Sequence, residues 1–222
     1  LISINKLIKK LEIAKLKGKL PKVLIPVHLS GSVCDMEKIH ELSKKYKFSI
    51  IEDASHAIGA KYKNENVGNC RYSDLTVFSF HPVKIITTGE GGCITTNNEK
   101  SFKLIKKLRS HGITKNKEEF ELVSPGDWSY EQQILGFNYR MSDIQGALGL
   151  SQIKRLDQII LERNKKLSFY KQILDELPVK LLETPKDVYS SVHLAIVRLN
   201  NKDPDFHSFV FHRYVIVFGC LF

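Results

Sequence analysis

A lysine close to a glycine-rich segment is the first candidate for chemistry in this sequence. Lys84 follows the apolar run 75–80, and Gly89, Gly91 and Gly92 come shortly after it. Glycines let the backbone turn sharply and approach a ligand closely. A lysine in a partly enclosed pocket has a lowered pKa and becomes a usable amine nucleophile. The alternative is a surface lysine beside a turn.

Asp53 makes the chemical interpretation of Lys84 more specific. It ends the apolar run 48–53, and a carboxylate buried at such a point needs a cationic or hydrogen-bonded partner. A carboxylate at one strand end and a lysine beyond another are what pyridoxal phosphate (PLP) requires. The lysine binds its aldehyde as a Schiff base, and the acid keeps its pyridine nitrogen protonated. The Ser79 hydroxyl is then a candidate ligand of the cofactor phosphate.

Apolar runs alternating with helical periodicity predict the elements that position these residues. Because each strand pattern is nearly continuously apolar, the fold class expected is α/β, with a sheet covered on both faces. Such sheets bind ligands at the carboxyl ends of their strands, where Asp53 and Ser79 lie. Cys93 is expected in the core. Strands are predicted over 23–28, 48–53, 75–80 and 92–96, and helices over 5–17, 36–46, 99–109 and 142 to about 177.

The rest of the chain divides into a loop and a second region. Residues 115–130 are polar and turn-rich, which indicates a loop or lid. Pro178 ends the long helical region, and 192–199 is typical of a strand that opens a smaller domain. Residues 204–222 show no clean alternation. The predicted units are a partial PLP-binding large domain (1–140), connecting helices (141–178), and an incomplete or aberrant small domain (179–222).

Composition excludes several classes of protein. The chain has 222 residues and is 42% hydrophobic, as globular proteins are. No apolar run approaches the ~18 residues of a membrane span. The four cysteines include no CxxC pair, so neither a disulfide framework nor a metal site is expected. The start has no secretory signal pattern, so a cytoplasmic location and no membrane partner are expected.

The charge is +10, from 34 Lys+Arg and 24 Asp+Glu. Its lysine doublets are spread along the chain, whereas nucleic-acid binders concentrate charge on one face with interleaved aromatics. A solvated lysine-rich surface is one interpretation, and a polyanionic or nucleotide-bearing ligand is the other. No nucleic-acid partner is expected.

Four segments in the right order resemble the DegT/DnrJ/StrS family of sugar aminotransferases. They are EDASHAIGA (52–60), FSFHPVKIITTGEGG (78–92), RSHG (109–112) and GFNYRMSDIQGALGLSQIKRLD (136–157). The resemblance implies the large domain of a fold-type-I PLP-dependent transferase, truncated, with the start of a small C-terminal domain. Its sheet would be mostly parallel, with helices on both faces.

The resemblance also implies roles for individual residues. Lys84 would hold PLP as a Schiff base and then move the proton during transamination. Asp53 would pair with the pyridinium nitrogen, His56 would lie near the cofactor ring, and Ser79 would bind its phosphate. Asn138 would reach the phosphate of the neighbouring subunit's cofactor, so a homodimer with shared active sites is expected.

The implied reaction transfers an amino group, with L-glutamate as the expected donor, to a UDP-sugar. The similarity is strongest to the branch that aminates C4 of a UDP-linked 4-keto-6-deoxy-N-acetylhexosamine in pseudaminic acid biosynthesis. Sugar dehydratases of the family carry histidine in place of Lys84, so transamination is favoured. The alternatives are a transaminase for another nucleotide keto-sugar and a non-catalytic remnant of such a gene.

The sequence allows two roles for each of several other polar residues. His81 either faces the sugar substrate or packs within the protein. Tyr139 and Arg140 either contact substrate or stabilise the dimer interface. His28 lies in the cofactor layer or is structural. Weak substrate-binding assignments are therefore His81, Tyr139 and Arg140.

Two departures from the family pattern affect the expected activity. The chain starts at Leu1 without the family's N-terminal phosphate-binding turn, and 204–222 does not resemble the family's continuation. We expect a fragment with uncovered apolar faces and strand edges, which catalyses poorly or not at all on its own.

Overall fold

The computed structural model describes residues 1–199 and 216–218, with residue 199 and residues 216–218 described by their backbone only. The helices are α1 (Ile4–Leu16), α2 (Met36–Tyr46), α3 (Glu99–Arg109), α4 (Asp143–Ile153) and α5 (Leu156–Ile173). The strands are β1 (Val23–Leu24), β2 (Ser49–Asp53), β3 (Lys61–Tyr62), β4 (Glu65–Asn66), β5 (Leu75–Ser79), β6 (Gly92–Thr95), β7 (Ile113–Thr114), β8 (Glu131–Gln132), β9 (Val179–Leu181), β10 (Val188–Tyr189), β11 (Ala195–Leu199) and β12 (Ile216–Phe218). The predicted α/β class is confirmed.

A four-stranded mixed sheet, in the order β1-β2-β5-β6, positions the candidate site. The first two pairings are parallel, and β6 runs antiparallel to β5. Asp53 lies opposite Val77, and Gly92 lies opposite Ser79. Since β2 and β5 run in the same direction, their carboxyl ends meet at one edge of the sheet.

The strand predicted over 23–28 is shorter in the structure, because β1 ends at Leu24. Pro26 has no N–H to donate, which interrupts regular pairing. The chain nevertheless continues beside β2, since Asp53 N–H donates to the Pro26 carbonyl at 3.0 Å and His28 N–H donates to the Asp53 carbonyl at 3.0 Å. This segment therefore still reaches the edge where β2 ends.

The main core joins α1 and α2 to the sheet. Side-chain caps begin both helices, with Ser3 accepting from Lys6 N–H and Asp35 accepting from Lys38 N–H. Leu and Ile side chains at helical spacing turn inward and bury apolar area, which stabilises the packing. The buried cluster includes Leu7, Leu11, Ile39, Leu42, Tyr46, Phe48, Ile50 and Phe78.

The helical region predicted from 142 to about 177 consists of two helices. Ser142 and Gln145 form a capping box that begins α4. The backbone of Arg155 leaves helical geometry, with φ −106° and ψ 3°, and α5 begins at the next residue. Helix α5 ends at Ile173, earlier than expected. The break lets α5 place Ile160 in a second cluster with Ile85 and Ile86.

Smaller sheets complete the described structure. Strand β11 pairs antiparallel with β9 and β12, β3 pairs with β4 and β10, and β7 pairs with β8. The strand expected over 192–199 is thus present as β11. The other residues of the 204–222 segment lie outside the described residues. None of the helices described here is both long and apolar enough to cross a bilayer.

The prediction that Cys93 lies in the core is wrong. It is exposed on β6. Strand β6 pairs with β5 on one side, and on the other side no strand of the described residues covers it. Strand β6 is thus the outermost strand of this sheet. An outermost strand keeps part of its side-chain surface in solvent, and its sequence alone does not indicate that position.

Candidate active site

Asp53 and Ser79 lie at the sheet edge, as the sequence predicts for the ends of β2 and β5. Both side chains are half-buried. The Asp53 carboxylate accepts the Ser55 N–H at 3.1 Å, which fixes it at the start of the following turn. The Ser79 hydroxyl accepts the His81 N–H at 3.4 Å. The edge therefore presents an acid and a hydroxyl on neighbouring strands.

Lys84 lies in a loop that is tied down at both ends. Phe80 N–H donates to the Gly91 carbonyl at 2.8 Å, and Thr88 N–H donates back to the Phe80 carbonyl at 3.0 Å. A turn places Lys84 N–H on the His81 carbonyl at 2.9 Å. Because Ile85 and Ile86 are buried against α5, the half-buried Lys84 is held from its C-terminal side.

Helix α4 braces the glycine-rich end of this loop. The Glu90 carbonyl accepts from the Thr88 hydroxyl at 2.8 Å and from the Gln145 amide at 3.1 Å. Gly91 has φ +158°, and a Cβ there would lie 2.3 Å from the Thr88 hydroxyl oxygen. A larger residue would therefore disturb the loop that carries Lys84.

His56 lies near both Lys84 and Asp53, close enough for their charges to act on its ring. Its Nδ1 accepts the Ser30 N–H at 3.3 Å. Burial lowers the pKa of His56, the charge of Lys84 lowers it further, and Asp53 opposes them. The net direction is downward, which favours the neutral ring with its proton on Nε2.

His193 belongs to the same site, and the sequence analysis missed it. Its ring centroid lies 4.3 Å from that of His56. Burial, together with His56, Lys84 and Arg163, lowers the pKa of His193 to about 3. His193 lies just before β11, whereas Asp53 and Ser79 lie at the carboxyl ends of β2 and β5, so the strand-end signal did not point to His193. Which strand end meets which cannot be derived from that signal.

Behind the edge, His28 and Glu52 form a buried polar network. His28 Nε2 lies 2.7 Å from a Glu52 carboxylate oxygen, and the Cys34 N–H donates to its Nδ1 at 3.3 Å. Glu52 also accepts from the hydroxyls of Ser73 and Thr76. Burial raises the pKa of Glu52, but these donors outweigh it and lower the pKa. With 0% exposure, His28 takes the structural role of its two interpretations.

The remaining predicted site residues lie at the surface. Exposed Asn138 forms an isolated bridge with Ser110, at the end of α3. Tyr139 is exposed and stacks on Phe137 with a centroid distance of 5.2 Å, and Arg140 is exposed beside it. These described contacts are separate from those around Lys84.

His81 is also exposed, although it lies in the Lys84 loop. Its Nδ1 accepts the Val83 N–H at 3.3 Å, and its Nε2 is 3.8 Å from Glu90. This arrangement helps to shape the turn before Lys84. Trp128, in the polar loop after β7, is exposed as well.

An amine, a carboxylate and an uncharged imidazole thus meet at one edge of a sheet. The model of the DegT/DnrJ/EryC1/StrS aminotransferase family matches residues 4–212. The chain belongs to this family. The resemblance seen in the sequence is therefore confirmed.

Relatives of the family can be compared in sequence and structure. The chain is 42% identical over 177 residues, which are 78% of it and 43% of the relative, to the UDP-4-amino-4,6-dideoxy-N-acetyl-beta-L-altrosamine transaminase of Campylobacter jejuni. It resembles the structure of Helicobacter pylori PseC, an aminotransferase of pseudoaminic acid biosynthesis, with a TM-score of 0.76 and 31% identity. That match covers 90% of this chain and 50% of PseC.

A second structural neighbour was solved in its PLP form. It is the PLP-form of the putative sugar aminotransferase Spr1654 from Streptococcus pneumoniae, with a TM-score of 0.72 and 29% identity. The match covers 87% of this chain and 53% of Spr1654. The chain spans about half the length of the proteins it matches.

Proposed function

We propose that this chain carries the lysine-bearing part of a PLP-dependent aminotransferase that acts on a nucleotide-linked keto-sugar. One observation carries the proposal: Lys84 and Asp53 both lie close enough to His56 for their charges to act on its ring. Family membership supports it, because Lys84, Asp53 and His56 all lie in segments that match the family's motifs.

The chemistry of these side chains fits PLP. A primary amine binds an aldehyde covalently, a carboxylate holds a protonated pyridine nitrogen, and a hydroxyl binds phosphate. Lys84, Asp53 and Ser79 supply these groups from one edge. When bound, PLP supplies an electron sink that stabilises negative charge on a substrate carbon.

The residues of the chain then have distinct tasks. Lys84 binds the cofactor, and its Nζ moves a proton during the reaction. Asp53 supplies the carboxylate that stabilises positive charge on the pyridine nitrogen. His56 stays uncharged, so it adds no second positive charge beside the Lys84 amine. The tied loop from Phe80 to Gly91 keeps the Nζ of Lys84 positioned.

The substrate proposal rests on similarity to relatives. The C. jejuni relative is a transaminase of a UDP-linked amino-sugar, an altrosamine. We therefore infer that the amino acceptor is a UDP-linked 4-keto-6-deoxy-N-acetylhexosamine and that the amino donor is L-glutamate. A different nucleotide keto-sugar is the alternative. A homodimer in which Asn138 reaches the neighbouring site is part of the same proposal.

Absorption spectroscopy tests the cofactor site directly. Purified chain is titrated with PLP, reduced with borohydride and digested for mass spectrometry, in parallel with Lys84→Ala. We expect a visible band and a reduced PLP adduct on the peptide that contains Lys84. Lys103→Ala, which changes an exposed lysine on α3, is the matched control and retains both. A missing adduct in folded chain would favour the non-catalytic remnant.

Substrate choice is tested only after the adduct is found. UDP-, GDP- and dTDP-linked 4-keto-6-deoxy sugars are compared for formation of an amino-sugar with L-glutamate. The incubations are long and the chain is concentrated, because turnover by the chain alone is expected to be poor. Amination of the UDP-linked N-acetylhexosamine alone supports the finer proposal. Amination of a different nucleotide sugar supports the alternative.

A further inference from the structure

The segment from Ser190 to His193 is built into the wall of the candidate site. Ser191 N–H donates to the Gly31 carbonyl at 3.2 Å, and His193 N–H donates to the Ser30 carbonyl at 2.8 Å. The Ser191 hydroxyl donates to the His56 carbonyl at 3.0 Å. The segment therefore touches both the turn after His28 and the backbone of His56.

Helix α5 holds the same segment from another side. Asn164 donates its amide to the Ser190 carbonyl at 2.9 Å. Arg163 donates to the Val192 carbonyl at 3.2 Å and to the His193 carbonyl at 3.5 Å. Backbone carbonyls that would be costly to bury without partners are thus satisfied.

The backbone of this segment is strained. Val192 has φ +49°, in the left-handed region that a β-branched residue rarely adopts. Ser30, which accepts from His193 across the contact, has φ +59°. Such conformations persist only where the surroundings enforce them, and they cluster at functional sites. Here they direct the His193 ring toward His56.

We propose that His193 is a positioning residue of the site, whose ring fixes the imidazole of His56 beside Lys84. The inference rests on the proposed function, in which His56 lies against the cofactor. The two rings are 4.3 Å apart at their centroids and inclined by 38°. His193 is 6% exposed, so its ring has little room to move.

The fixed ring gives His56 one tautomer. Because the Ser30 N–H occupies Nδ1 of His56, the proton of its neutral ring lies on Nε2. The charged groups that face the two rings are Asp53 from β2, Lys84 from its loop and Arg163 from α5. An ionised imidazole among them would repel Lys84, and the burial of His193 opposes its ionisation.

Nuclear magnetic resonance tests this inference without the cofactor. Long-range proton–nitrogen spectra of ¹⁵N-histidine-labelled chain report the tautomer and the pKa of each imidazole, and His56→Gln assigns the His56 signals. In His193→Ala we expect the pKa of His56 to move up toward its ordinary value and its Nε2–H tautomer to lose preference. In His193→Phe, which keeps a buried ring, we expect wild-type behaviour.

A matched control lies outside the site. His40 is half-buried, bonds the Tyr72 carbonyl at 3.1 Å and contacts the Tyr72 ring. His40→Ala should leave the His56 signals unchanged. If His193→Ala does not fold, His193→Gln replaces it, because glutamine is polar but has no ring to pack on His56.

Cofactor binding gives a second readout. The PLP concentration that half-saturates Lys84 should rise on the order of tenfold in the ring-less variant, as when other residues that orient a ligand-binding side chain are removed. In His193→Phe it should stay near the wild-type value. Wild-type His56 signals or wild-type PLP affinity in a folded ring-less variant would overturn the inference. If wild-type chain binds no PLP on Lys84, the proposed function fails, and the resonance experiment alone decides the role of His193.

Discussion

Glu52 is a buried carboxylate behind the site, held by several hydrogen bonds. Its carboxylate accepts from His28 Nε2 and from the hydroxyls of Ser73 and Thr76. In Glu52→Gln the amide nitrogen faces these donors, so at least one buried donor loses its acceptor. We expect the free energy of unfolding to fall by about 1–3 kcal/mol, measured by urea denaturation at pH 7.

The same carboxylate predicts a pH dependence. The pKa of Glu52 is below its ordinary value of 4.5 in the folded chain. Its stabilising contribution is therefore complete above that value and is lost as the pH falls through the lowered folded pKa. The stability difference between wild type and Glu52→Gln should shrink in acid. Glu37→Gln, which breaks an exposed pair with Lys63, is the control and should cost much less stability than Glu52→Gln. An acid-independent difference would contradict the prediction.

Residue types at strand ends explain why much of the candidate site was predictable. Asp53 and Ser79 lie at the ends of two apolar runs and Lys84 follows the second, and parallel strands bring such ends together. His193 was missed because its contact is long-range: Ser191 and His56, which anchor the segment, are 135 residues apart. Hydrophobic periodicity reports local structure and carries no information on that pairing.

At the scale of elements, Gly31 controls how the Ser190–His193 segment approaches the site. It has φ +88°, and a Cβ there would lie 2.5 Å from the Ser191 hydroxyl oxygen and 2.9 Å from the His56 carbonyl oxygen. Gly31→Ala should reduce the free energy of unfolding by about 2–4 kcal/mol, through backbone strain and overpacking. Chemical denaturation measures the loss.

Gly18 provides the matched control for Gly31. It has φ +64°, and a Cβ there would meet nothing within 4 Å. Gly18→Ala therefore carries the backbone strain without the clash, at a cost of about 1–2 kcal/mol. Equal losses in the two variants would show that the contact between Gly31 and the Ser190–His193 segment is not tight.

The elements themselves were predictable in type and less so in extent. Amphipathic spacing and side-chain caps specified α1 and α2 locally. The shortening of β1 follows from Pro26, whose missing N–H could have been used. The sequence did not predict the break at Arg155, because it accompanies a long-range contact, the packing of Ile160 with Ile85 and Ile86. Exposure of Cys93 likewise depends on which strand lies at the sheet edge.

At the scale of the whole molecule, α4 has apolar side chains in solvent on more than one side. Ile144 is 84% exposed and Leu150 is 60% exposed, while Leu148 and Ile153 are also exposed. A helix that is apolar on several sides is normally buried. Phe137, just before this helix, is exposed too. These residues all lie within the stretch 137–153, and their exposed apolar area favours association.

Self-association through α4 follows from this exposure. We expect the purified chain to form concentration-dependent oligomers in sedimentation velocity, because burying exposed apolar area contributes about 25 cal/mol per Å². Ile144→Asp puts a charge into that surface and should shift the distribution toward monomer. Asn64→Asp adds the same charge in the exposed turn between β3 and β4 and should leave the distribution as in wild type. If Ile144→Asp and wild type sediment alike, α4 is not the contact surface, and the exposed apolar residues of α3 become the next to test.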